Sequence, residues 1–155
     1  MTEPSETIHV TWAAEGPEPP LLAPEAVRAA AAAALAHGGR AGAELEVVFV
    51  DDERLASMHG EWLGDDSPTD VITFDLGNDT DGPVGELYVS EPCARRVAAE
   101  QGIDPARELA LYVVHGALHL CGFDDHADDD RARMRAAERE VLAALGYGDD
   151  APAFE

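Results

Sequence analysis

Basic side chains and thiols are scarce in this 155-residue chain. The sequence contains ten arginines, no lysine and 32 acidic residues, so the formal net charge is −22. Phosphate groups repel such a surface, so the composition by itself argues against a nucleic-acid partner. Two cysteines, Cys93 and Cys121, exclude a framework of several disulfides. Because no apolar run is long enough to cross a membrane and no signal peptide is recognisable, we expect a cytoplasmic protein with reduced thiols and no membrane partner.

Two interpretations fit the acidic composition. One is a surface adapted to strong salt, because at about 1 M salt the Debye length falls to roughly 3 Å and self-repulsion is screened. The other is an ordinary acidic protein. The stability of the protein toward urea in low and in molar salt distinguishes them.

The length and the hydrophobic content of 46% predict one globular domain over residues 1–155, with frayed tails at 1–6 and 146–155. Predicted strands cover residues 7–12, 44–50, 69–76 and 84–90, and predicted helices begin at Pro24, Glu53, Glu91, Pro105 and Asp128. The nearly continuous apolar end of ELEVVFV favours a central position for the second strand. The turn cluster GNDTDGP favours a hairpin between the last two strands. We therefore predict an α+β fold with a mixed sheet of about four strands covered by helices.

The stretch from His115 to His126 (HGALHLCGFDDH) carries the strongest chemical signal. His115 and His119 are one helical turn apart, so both imidazoles face the same side of the fourth helix. Gly122 ends the apolar run, and a third ligand follows as Asp125 or His126. Three protein ligands and one open position are typical of a catalytic zinc rather than a structural one.

Gly116 argues against one class of zinc enzyme. Zinc peptidases of the H-E-x-x-H type use the glutamate after the first histidine as general base, and Gly116 stands at that place here. The histidine pair therefore indicates a hydrolytic metal site without specifying a peptide substrate.

The last predicted helix carries a cluster of arginines at positions 131, 133, 135 and 139. The favoured interpretation is a solvated face paired with Glu138 and Glu140. The alternative is a surface that contacts RNA.

Three blocks of this sequence together resemble one known family. The pattern H-G-x-L-H-L-x-G followed by Phe123, Asp124 and Asp125 is similar to the signature of the YbeY family of metal-dependent endoribonucleases. The segments 67–74 (SPTDVITF) and 85–90 (GELYVS) resemble two further blocks of that family, in the same order. The three blocks fall within a family-like stretch that extends roughly from residue 47 to 145.

The resemblance implies a zincin-like α+β fold, one Zn²⁺ per chain, and action on single-stranded RNA. It also implies a part in maturation of the 3′ end of 16S ribosomal RNA and in ribosome quality control, with the small ribosomal subunit as partner. Asp124 is then a candidate acid–base group or a partner of a metal ligand; a solvated loop acid is the alternative.

Two positions depart from the family pattern. Many members carry an arginine just before Gly64, whereas this chain has Leu63, and a phosphoryl-transfer site gains from a nearby cation. This loss favours the alternative of a ribosome-associated maturation factor with a mainly structural zinc and little nuclease activity. Most members also place a histidine six residues after the second one. That position is Asp125 here, so Asp125 is the predicted third ligand and His126 is the alternative.

Overall fold

The computed structural model of the chain describes residues 7–12, 20–63, 71–76, 84–123 and 127–147. The strands are β1 (Ile8–Trp12), β2 (Leu45–Val50), β3 (Val71–Asp75) and β4 (Gly85–Ser90). The helices are α1 (Pro24–His37), α2 (Asp52–Leu63), α3 (Glu91–Gln101), α4 (Pro105–Leu120) and α5 (Asp128–Ala144). This arrangement confirms the predicted α+β class. The tail predicted at residues 1–6, and residues 148–155 of the tail predicted at 146–155, lie outside the described residues.

The four strands form one mixed sheet in the order β1-β2-β4-β3. Strands β1, β2 and β4 run parallel, and β3 pairs antiparallel with β4. The position of β2 between two partners confirms that it is central, as its apolar end predicted. The antiparallel β3–β4 pair confirms the predicted hairpin pairing.

Helix α4 is the central helix of the fold. Its N-terminus is fixed by the Asp104 carboxylate, which accepts a hydrogen bond from the backbone N–H of Ala106 at 3.1 Å, and by Pro105 in the first turn. Apolar residues surround most of the helix, so Leu109, Val113 and Leu118 have no exposed surface. Because α4 contacts α1, α3, α5, β3 and β4, its position fixes the site described below.

The alanine-rich helix α1 packs closely against α4. Ala30, Ala31 and Ala34 are buried in this contact region and in the main core. Small side chains let two helix backbones approach each other, and alanine also has the highest helix propensity. The alanine run is therefore a packing element, as the sequence predicted.

Helix α2 covers the opposite face of the sheet. Its Leu55 and Met58 form a smaller buried cluster with Val50 and Ile72. The helices thus lie on both faces, with the larger core between the sheet and α1, α3, α4 and α5. Among the described helices, none is long and apolar enough to span a lipid bilayer.

Candidate metal centre

The last turn of α4 ends in a Schellman motif that turns the chain away from the helix. The N–H of Phe123 donates to the carbonyl of Leu118, and the N–H of Gly122 donates to the carbonyl of His119, both at 3.1 Å. Gly122 adopts a φ of 97°, which favours glycine. Arg40 also donates to the carbonyl of Leu120 at 2.5 Å. The chain therefore leaves α4 directly after the turn that carries His119.

His115 and His119 meet on one side of α4, as their spacing predicted. Their Nε2 atoms are 3.1 Å apart, and the ring planes are inclined by 81°. Two nitrogens bound to one tetrahedral zinc at about 2.0–2.1 Å would be about 3.3 Å apart. The separation observed between the two imidazoles therefore fits a shared metal ion after only a small shift.

Glu138 of α5 contacts His115 from the neighbouring helix. Its Oε2 atom lies 2.5 Å from Nδ1 of His115, and its Oε1 atom accepts a hydrogen bond from Nη1 of Arg135 at 3.3 Å. Only 3% of Glu138 is exposed. The sequence interpretation had assigned Glu138 to a solvated face, which was wrong. A signal was present, because Glu138 follows Met134 by four residues and precedes Val141 by three on the apolar side of α5.

Gly116 lies on the side of α4 that faces the sheet. A Cβ atom built there would be 2.8 Å from Cδ2 of Leu87 and 3.2 Å from Oγ1 of Thr73. A glutamate would extend several atoms farther into this contact. Gly116, which stands at the position of the zinc-peptidase general base, therefore packs directly against β3 and β4.

The predicted third ligand falls in a stretch whose structure is not described. Asp124, Asp125 and His126 all lie between the described residues Phe123 and Ala127. Within the described parts of the chain, no three His, Cys, Asp or Glu side chains converge to hold a metal ion. The predicted choice between Asp125 and His126, and the role of Asp124, thus stay predictions. The loop after Leu63 also lies outside the described residues.

A cavity of about 210 Å³ lies beside the end of α4. Its lining residues are Cys121, Gly122, Phe123, Asp130 and Arg133. Burial raises the pKa of the Cys121 thiol, although nearby Arg40 opposes the shift. The thiol is therefore held neutral, which makes it a poor metal ligand compared with the imidazoles.

Three arginines of α5 pair with acids of the same helix. Arg131 pairs with Asp128 at 3.2 Å, Arg133 pairs with Asp130, and Arg135 pairs with Glu138. Pairing within the helix is what the sequence predicted. The partners of Arg131 and Arg133, however, are the aspartates of the first turn rather than Glu138 and Glu140.

Comparisons with known proteins identify the family and the fold of the chain. The family model described as Endoribonuclease YbeY matches residues 22–146. A protein named Endoribonuclease YbeY from Azorhizobium caulinodans is 40% identical over 134 residues, covering 82% of this chain and 84% of the relative. Another, from Geobacillus thermodenitrificans, is 37% identical over 116 residues, covering 68% and 74%. The solution structure of a Thermotoga maritima protein shares the fold with a TM-score of 0.58 at 24% identity, covering 94% of this chain and 99% of that one.

Proposed function

The chain belongs to the endoribonuclease YbeY family, and we propose that it is a zinc-dependent endoribonuclease that cleaves single-stranded RNA. We further propose that it acts in the cytoplasm on the 3′ end of 16S ribosomal RNA, in maturation and quality control of the small subunit. The observation that carries the proposal is the convergence of the His115 and His119 Nε2 atoms at 3.1 Å. The two imidazoles present nitrogen donors, which suit zinc.

His115 and His119 would hold the ion, with Asp125 as third ligand or His126 in its place. A zinc ion with an open position lowers the pKa of a coordinated water to about 7 and polarises a phosphoryl oxygen. Glu138 would accept a hydrogen bond from Nδ1–H of His115 and thereby leave the Nε2 lone pair available. Asp124 is the candidate to move a proton between water and the leaving oxygen, because it immediately precedes the proposed third ligand.

The charge distribution sets the conditions under which RNA is bound. The protein carries a formal net charge of −22, and Arg131, Arg133 and Arg135 each have an acidic partner within α5. At low ionic strength the protein therefore repels RNA over a Debye length of about 10 Å at 0.1 M. Added salt screens this repulsion, so affinity for RNA holds or rises with salt, which is the reverse of a basic RNA binder.

A cleavage assay tests the proposal directly. Zinc-loaded protein is incubated in molar salt with an end-labelled single-stranded RNA and, separately, with the same strand annealed to its complement. Wild type should cleave the single strand and spare the duplex, and His119→Ala should lose at least about 100-fold in rate. His9→Ala is the matched control, because His9 is exposed and pairs with Glu44 at 3.5 Å. Equal cleavage by wild type and His119→Ala would refute the proposal.

A second candidate function is favoured by Leu63, which stands where many family members have an arginine. In that case the protein is a ribosome-associated maturation factor whose zinc is mainly structural. The same assay separates the two functions, because this factor would bind the small subunit and RNA but leave the labelled strand intact. His119→Ala would then reduce stability in proportion to zinc loss and change no cleavage rate.

A further inference from the structure

We propose that Glu138 is a positioning residue for the metal centre, a role that rests on the proposed zinc site. Its Oε2 atom is 2.5 Å from Nδ1 of His115, although 23 residues separate the two in the chain. Only 3% of Glu138 is exposed, so water offers little competition for the contact. The pair joins α5 to α4 at the helical turn that holds the candidate ligand.

The contact selects one tautomer of His115. An ionised carboxylate only accepts hydrogen bonds, so the proton of a neutral imidazole must lie on Nδ1. Nε2 then carries the lone pair, and Nε2 is the atom that faces His119 at 3.1 Å. Glu138 therefore keeps the Nε2 lone pair of His115 available for a metal ion and fixes the plane of the imidazole ring.

Glu138 is itself held in place by its neighbours. Arg135 donates from Nη1 to Oε1 at 3.3 Å, which leaves Oε2 for His115. Met134, one turn earlier on α5, has no exposed surface, so the carboxylate sits beside an apolar region. Burying a carboxylate costs free energy unless its oxygens are hydrogen-bonded, and here His115 contacts one oxygen and Arg135 contacts the other.

The same helix provides a matched control. Glu140 also pairs with a histidine, because its Oε2 atom lies 3.5 Å from Nε2 of His37. The Glu140 side chain is 69% exposed, in contrast to the buried Glu138. Glu140→Gln thus removes one carboxylate and one histidine contact from α5 without touching the centre.

Zinc affinity is measured by competition with a chromophoric chelator for wild type, Glu138→Gln and Glu140→Gln. Loss of a carboxylate that orients a ligating histidine commonly weakens metal binding by about 10–100-fold, and this loss is expected for Glu138→Gln alone. Heteronuclear NMR of the imidazole nitrogens in the metal-free protein gives a second readout. Wild type and Glu140→Gln should show the Nδ1–H tautomer of His115, and Glu138→Gln should show a mixture, because its amide can also donate.

Each outcome decides a different question. If wild type binds zinc but Glu138→Gln retains both the affinity and the single tautomer, the role of Glu138 is refuted. If wild type binds no zinc, the proposed function fails, whereas the tautomer measurement still reports on Glu138. Should Glu138→Gln fail to fold by circular dichroism, Glu138→Asp replaces it, since it keeps the charge but withdraws the carboxylate from Nδ1. Unchanged zinc affinity in Glu138→Asp would also overturn the proposal.

Discussion

Gly116 of α4 lies against Leu87 of β4 so closely that a Cβ atom at residue 116 would be 2.8 Å from Cδ2 of Leu87. Leu87 has no exposed surface and therefore little room to move. The contact sets the distance between the sheet and the helix that carries both histidines. It also gives a physical reason for glycine within a helix, where glycine is otherwise unfavourable.

Gly116→Ala is expected to lower the free energy of unfolding by about 1 kcal/mol. Overpacking a core commonly costs about 1–3 kcal/mol, and the better helix propensity of alanine returns about 1 kcal/mol. Urea unfolding of the metal-free protein measures the change. Ala36→Gly, at an exposed position of α1, measures how much the difference in helix propensity between alanine and glycine changes the free energy of unfolding. A gain in stability for Gly116→Ala would show that the helix and sheet have more room than the structure indicates.

The raised pKa of Tyr112 predicts that the stability of the protein falls at alkaline pH. Burial, followed by the nearby Glu108 and Cys93, raises the pKa of Tyr112 above the ordinary value of 10.0. Above about pH 10 the unfolded chain loses the tyrosine proton while the folded chain keeps it, so the free energy of unfolding falls as pH rises. This one group contributes a slope of at most about 1.4 kcal/mol per pH unit.

The alkaline prediction is tested by urea unfolding between about pH 9 and pH 11. Tyr112→Phe should show a shallower decline than wild type, because the titrating hydroxyl is gone. A decline of the same slope in both proteins would contradict the assignment to Tyr112.

The acidic surface predicts stabilisation by salt. With a formal net charge of −22, self-repulsion opposes the compact state at low ionic strength. The free energy of unfolding in urea should therefore rise from about 0.1 M to about 1 M potassium chloride, as the Debye length falls from about 10 to 3 Å. Chloride is preferred to sulfate, because sulfate stabilises most proteins by exclusion from their surface. Equal stability across this range would support an ordinary acidic protein.

Local sequence patterns predicted the elements of this fold well. The apolar run ending in Phe49 and Val50 identified the central strand, and Asp104 with Pro105 identified the start of α4. Both features depend on neighbours in the chain. The strand order β1-β2-β4-β3 was not predicted, because hydrophobic patterning shows which face is buried but not which strands are adjacent.

The site was predictable only in part for the same reason. His115 and His119 are four residues apart, so their convergence follows from helix geometry alone. Glu138 reaches His115 through the packing of α5 on α4, which a helix-by-helix interpretation cannot show. Charged residues are rarely buried unless paired, and the arginines around Glu138 made a surface pair the natural interpretation.

Substitution of the two candidates identifies the third ligand. Asp125→Ala is expected to weaken zinc binding strongly, and His126→Ala is expected to leave it within a few-fold. Zinc accepts carboxylate oxygen at about 2.0–2.2 Å and imidazole nitrogen at about 2.0–2.1 Å, so the chemistry permits either. Chelator competition measures both variants. If His126→Ala loses the metal and Asp125→Ala retains it, the assignment of Asp125 is wrong.

The central claim is that His115 and His119 hold a metal ion. Elemental analysis after dialysis against zinc measures this most directly, with His115→Ala/His119→Ala compared with His9→Ala/His37→Ala, which removes the same number of histidines elsewhere. We predict about one zinc per chain in wild type and in the control variant, and almost none in His115→Ala/His119→Ala. Full zinc occupancy in His115→Ala/His119→Ala would contradict the account.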